Sequence, residues 1–181
     1  MQWVKTISEW AKPVLIFPYV LQTRRNHALE HATIHLLSRR YRNLSGRSSE
    51  NGFIMFGNVP EAQVETATKE ALKRLKAGES QWAIHPNCGT NLLTTAFLVT
   101  LSGAVGFYGS SFTSLPKRFT WVMILMMLAL LYSPFLGADL QKYITTAADM
   151  GDTKLISVRR HEFKIPILNR QIVLTHVHTQ A

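Results

Sequence analysis

Residues 26–35 read N-H-A-L-E-H-A-T-I-H and bring His27, Glu30, His31 and His35 into one short run. On a helix each residue turns roughly 100°, so positions four apart lie about 40° from each other and His27 and His31 project from one face, one turn apart. Two imidazoles so placed can bind one zinc ion, and Glu30 on the flank can take a proton from metal-bound water. A second cluster follows at 84–89, I-H-P-N-C-G, where His85 and Cys88 stand three apart in a turn tightened by Pro86 and Gly89. Thiolate with imidazole is a preferred zinc ligand set. The candidate metal ligands are therefore His27, His31, His85, Cys88 and His35, with Glu30 as the catalytic base. Two other uses of the same histidines stay open: polar edges at a domain surface or partner interface, and ligation of a porphyrin.

The elements that must position these residues follow from periodicity and punctuation. Residues 27–41 carry Ala28, Leu29, Ala32, Ile34, Leu36 and Leu37 at helical spacing behind an N-cap at Asn26, with Arg24 and Arg25 leading in. Residues 44–51 (LSGRSSEN) read as a loop, and 52–56 (GFIMF) as a short strand bounded by glycines. Pro60 opens an amphipathic helix ending near Gly78, and 82–85 read as the next strand. That strand, helix, strand order is of the kind that pairs strands in parallel. Residues 139–150 read as a polar helix, and 154–163 and 165–178 alternate as two strands joined around 166–169, which complete a four-stranded sheet. His176 and His178 share one strand face but sit where a terminus frays, His161 reads as solvated, and Asp139 reads as a helix-end polar residue.

The chain has 181 residues, of which 46% are hydrophobic and only 17% charged. Residues 90–112 and 119–138 contain no charged side chain. Each stretch can cross the hydrocarbon core, which needs about 20 predominantly apolar residues. The link at 113–118, with Lys117 and Arg118, is too short for a domain, so the two spans form a hairpin inside one domain. The fold expected is thus an α+β membrane protein: a transmembrane hairpin (90–138) inserted between the two parts (26–89 and 139–181) of a small mixed α/β domain. Ahead of it, residues 1–25 place Trp3, Ile7 and Trp10 at helical spacing, broken by Pro13 and Pro18, as an interfacial helix rather than a signal peptide.

A net charge of +9 and a pI near 10.0 attract polyanions. In a chain with spans the polyanion expected is a bilayer with anionic headgroups, and no RNA-binding or zinc-finger signature supports nucleic acid. Lys73, Arg74, Lys76, Lys142 and Lys154 flank the spans on the domain side, which favours the cytoplasmic (inner) membrane with the domain and both termini cytoplasmic. The single cysteine, Cys88, cannot form an internal disulfide, which is compatible with a reducing compartment.

The segment His27-Ala-Leu-Glu30-His31 resembles the H-x-x-E-H motif of the inverted zincin metallopeptidases. The resemblance implies His27 and His31 as ligands, Glu30 as general base, and a third ligand from farther along the chain. Glu61, Glu65, Glu70, His35, His85, Cys88 and Asp139 are the candidates for that ligand. Over most of its length, the order of the histidine helix, G-F-I-M-F-G, A-I-H-P-N-C-G-T-N and two spans is similar to an uncharacterised family of small bacterial membrane proteins. That similarity implies architecture and bacterial origin, and no activity. Two functions follow as expectations. One is a membrane-anchored metal-binding protein, in its sharpest form a zinc-dependent hydrolase of the peptidase type. The other is a non-enzymatic accessory subunit or assembly factor of a larger membrane protein complex.

Overall fold

The computed structural model describes residues 1–111, 115–165 and 170–180; the turn expected at 166–169 lies outside the described residues. The chain divides into two compact units. One joins Gln2–His85 to Lys142–Ala181, and the other joins Met1 to Pro86–Gln141.

The first unit begins with α1 (Gln2–Trp10) and α2 (Lys12–Leu15), then α3 (Pro18–Leu37). Pro18 sits in the first turn of α3, where its missing N–H is no loss and its fixed φ suits a helix. The histidine helix therefore starts well before the N-cap expected at Asn26 and ends at Leu37 rather than near 41. Asn26 lies inside α3, fully buried. Its side-chain amide donates to the carbonyls of Ser49 (2.8 Å) and Glu50 (3.0 Å), and its Oδ1 accepts from the Thr179 hydroxyl at 2.6 Å. It ties the helix to a strand turn and to the last strand at once. Asn26→Ala would leave buried groups without partners at about 1–3 kcal/mol for each unsatisfied group. A drop of this order in unfolding free energy, measured in denaturant, is the expected outcome.

Residues 44–51 are not a loop. They hold β1 (Ser45–Ser49), which turns through Glu50 and Asn51 into β2 (Gly52–Phe56), with Ser49 paired to Gly52. The Asn51-Gly52 pair is the turn signal that accounts for this hairpin. After α4 (Glu61–Lys76), residues Ser80–Ala83 form a single 3₁₀ turn instead of a strand. Gly78 ends α4 at φ +87°, and the Trp82 indole donates to Glu79 within the turn. The parallel pairing expected of 82–85 is thus overturned. β3 (Lys154–Ile165) and β4 (Arg170–Gln180) complete an all-antiparallel sheet in the order β1-β2-β4-β3. β4 lies between β2 and β3 and is hydrogen-bonded to both, so the strand carrying His176 and His178 is not a frayed end.

Helices α3 and α4 cover one face of this sheet. Ala28, Leu29 and Ala32 of α3 and Val64, Ala71 and Leu75 of α4 are buried against Phe53, Met55, Val158 and Val177. Alternation along β1, β2 and β4 sends every second residue into that core and its neighbours outward.

The second unit is a pair of antiparallel helices, α5 (Gly89–Phe107) and α6 (Leu115–Leu140). Lys117 and Arg118, expected in the connecting loop, lie in the first turn of α6. Small residues let the helices approach: a Cβ on Gly106 would stand 2.5 Å from Val122, and one on Gly137 would fall on the side chain of Asn91. The Thr95 and Ser133 hydroxyls meet at 2.7 Å, and Gln141 donates to Asn91 at 2.8 Å. Both helices are long and apolar enough to cross a membrane. At most 17% of either apolar window is buried, which is unlike the core helix of a soluble domain. A π turn, Gln141–Thr145, follows α6, so the polar helix expected over 139–150 stops at Thr145.

Candidate metal centre

The site begins with two turns of α3. His27 and His31 lie one turn apart, their rings edge to face with centroids 4.3 Å apart. One ring nitrogen of each lies within 4.8 Å of the other's. His31 Nδ1 is 2.7 Å from the Ala83 carbonyl oxygen, and His27 Nδ1 is 2.9 Å from that of Thr145. A carbonyl can only accept, so in each ring Nδ1 carries a proton, and in the neutral form of each ring Nε2 carries the lone pair. This is the arrangement metal-ligating histidines use: one nitrogen donates to a main-chain oxygen and so fixes the tautomer and orientation of the other. The carbonyls come from local breaks in regular structure. Ala83 ends the 3₁₀ turn and Thr145 ends the π turn, where helical carbonyls lose their own partners.

His85 joins the cluster from beyond the 3₁₀ turn. Its ring lies 5.8 Å from that of His31 and 4.5 Å from that of His35. Burial, followed by the neighbouring His35 and His31, pushes its pKa down to about 4, so it is uncharged at neutral pH. His35 is oriented the other way round. Its Nε2 donates to the Ile84 carbonyl at 2.9 Å, and its ring stands edge-on to Trp82. It braces the segment that carries His85.

Glu30 is 5% exposed and accepts a hydrogen bond from the Ser48 hydroxyl of β1. Gly46, on the same face of β1, makes room for it: a Cβ there would stand 2.5 Å from the Glu30 carboxylate. Nothing in the residue types of 44–51 marks Gly46 and Ser48 as part of a site. The signal is the alternation of Gly46 and Ser48, small residues on one face of a strand that a helix can approach closely. Cys88 belongs to the helical pair, where its sulfur caps α5 by accepting from the Thr90 N–H at 3.4 Å.

The acidic candidates for a further ligand are engaged elsewhere. Glu65 pairs with Lys69 at 2.6 Å and Glu70 with Arg74 at 2.7 Å, both one turn away on α4. Glu61 accepts from the Arg160 main-chain N–H at 2.7 Å, and Asp139 pairs with the Met1 amino group.

A family model described as Domain of unknown function (DUF6391) matches residues 22–158, a stretch that contains the whole histidine cluster. An uncharacterized protein of Picosynechococcus sp. (strain PCC 7002) is 35% identical over 143 residues, which are 71% of this chain and 67% of that protein. No solved structure matches.

Proposed function

Because the chain belongs to the DUF6391 family, an uncharacterised family as the sequence resemblance implied, its function must come from its residues, and we propose a membrane-anchored metal-binding protein. The ion proposed is zinc, held by His27 and His31 through Nε2. The observation that carries this reading is the pair of Nδ1 hydrogen bonds to the Ala83 and Thr145 carbonyls, which in the neutral rings puts both lone pairs on Nε2, on two imidazoles that have a ring nitrogen each within 4.8 Å of the other's. His85, which lies beside His31 and is uncharged at neutral pH, is the proposed further ligand. His35 positions His85.

The length and apolarity of α5 and α6 support anchoring in the bilayer, and the basic residues flanking the spans support a cytoplasmic domain at an anionic inner-membrane surface. Metal analysis of detergent-purified protein tests the reading. One equivalent of zinc is expected, and a preparation free of stoichiometric metal would overturn it.

Hydrolysis of the peptidase type is the further step, with Glu30 as base. Glu30→Gln keeps an oxygen to accept from Ser48 and removes the basic carboxylate, so it separates the roles. Zinc content should stay at the wild-type level, while cleavage of a fluorescently labelled, unfolded protein substrate in the same detergent should fall by about 10²- to 10⁴-fold. Cleavage unaffected by the change would end the hydrolase reading and leave an accessory, non-enzymatic role in a larger membrane complex.

A further inference from the structure

The chain's seven histidines fall into two groups. Four make the centre just described. The other three, His161, His176 and His178, stand on the outward face of the sheet, beyond the residues that the family model matches. We propose that these three form a second site, for a divalent transition ion of the zinc, nickel and copper class.

The geometry begins with register. On β4, His176 is paired with Ile54 of β2 and Arg159 of β3, and His178 with Gly52 and Ser157. His161 of β3 is paired with Leu174. Residues directly opposite each other in an antiparallel sheet share a face, so all three imidazoles leave the same side, with His161 diagonal to His176. The rings of His161 and His176 are edge to face with centroids 5.3 Å apart, and that of His178 lies 6.1 Å from His176, nearly parallel to it.

These spacings suit chelation. An imidazole nitrogen about 2.0 to 2.1 Å from a metal puts its ring centroid roughly 3.2 Å from the ion, so two ligands at a tetrahedral angle have centroids roughly 5.2 Å apart. His161 and His176 are at that spacing before any ion binds. His178 needs a rotation about its side-chain torsions, which an exposed residue makes freely. β4 is an inner strand of the sheet, hydrogen-bonded on both sides.

The neighbours define the chemistry of the ion. Arg159 is directly across from His176 and no carboxylate is paired with any of the three histidines, so the surroundings repel cations rather than attract them. Calcium and magnesium, which need several carboxylate or carbonyl oxygens, are disfavoured here. An ion held here must be held by nitrogen donors, which favours the upper end of the Irving–Williams order, with copper(II) tightest.

Titration of the full chain in detergent with copper(II), read by electron paramagnetic resonance for nitrogen hyperfine structure, tests the site. His161→Gln with His176→Gln should bind one equivalent fewer than the wild type. Because lost outer-shell partners already weaken metal sites by 10- to 100-fold, lost ligands should weaken this one at least about tenfold. Both substitutions are at exposed or half-exposed positions, and an unchanged circular dichroism spectrum shows that the fold survives. Copper binding with wild-type stoichiometry and affinity in the double variant would overturn the proposal. The same double variant distinguishes the two sites: if the α3 centre holds no metal, the wild type still binds copper and the variant does not.

Discussion

Replacing His31 with alanine is expected to strip the purified protein of its zinc. His31 is 2% exposed and its Nδ1 is fixed to the Ala83 carbonyl, so no mobile side chain can swing into its place. Zinc in a four-ligand structural site binds with about 10–16 kcal/mol of apparent free energy, shared among few ligands, so removing one abolishes stoichiometric binding at micromolar metal. The change also leaves the Ala83 carbonyl without its donor, at about 1–3 kcal/mol, and a control must separate lost metal from lost fold. His35→Ala is that control. It deletes an imidazole of the same cluster, one that braces His85 instead of pointing Nε2 at the ion, so zinc should be weakened and not lost. Equal zinc in wild type and His31→Ala would refute the centre. Equal loss in both variants would show that His35 is a ligand and not a brace.

The parts of this arrangement that rest on local pattern are legible in the sequence. Four-residue spacing puts His27 and His31 on one helix face, and long uncharged runs mark α5 and α6. The parts that rest on tertiary partners are not. Asn26 is a good N-cap by residue type, yet Pro18 starts the helix earlier and the amide is used inside the fold, on carbonyls more than twenty positions away. The carbonyls that orient the two histidines belong to a 3₁₀ turn and a π turn, and irregular turns have no periodicity to read. Residues 44–51 hide a strand because Ser and Gly are weak strand formers; what makes them one is the buried Glu30 on the helix above, which only small residues can face. The antiparallel order has a similar source. The edges of β2 are claimed by its hairpin partner β1 and by β4 from the far end of the chain, which leaves residues 82–85 no edge of β2 to pair with in parallel.

The largest effect on stability is expected at Gly52, far from any metal. Its φ of +136° lies where only glycine is comfortable, and a Cβ at this position would fall on the main-chain carbonyl oxygen of Val177, an atom the sheet itself holds in place. Strain of this kind costs about 1–3 kcal/mol, and the clash with the central strand adds to it. Gly52→Ala should therefore lose about 3–5 kcal/mol, a large part of the 5–15 kcal/mol that holds a typical domain together. The consequence reaches the centre by a short route. Gly52 sets the turn that offers the Ser49 and Glu50 carbonyls to Asn26, and Asn26 sits one residue before His27. Zinc at the proposed centre would bind only the folded form and should raise the stability of both proteins by linkage, but Gly52→Ala should need more metal to reach the same midpoint. Thermal unfolding in detergent, with and without zinc, reads both effects. A midpoint within a degree or two of wild type would show that β2 and β4 can separate enough to admit a side chain at residue 52.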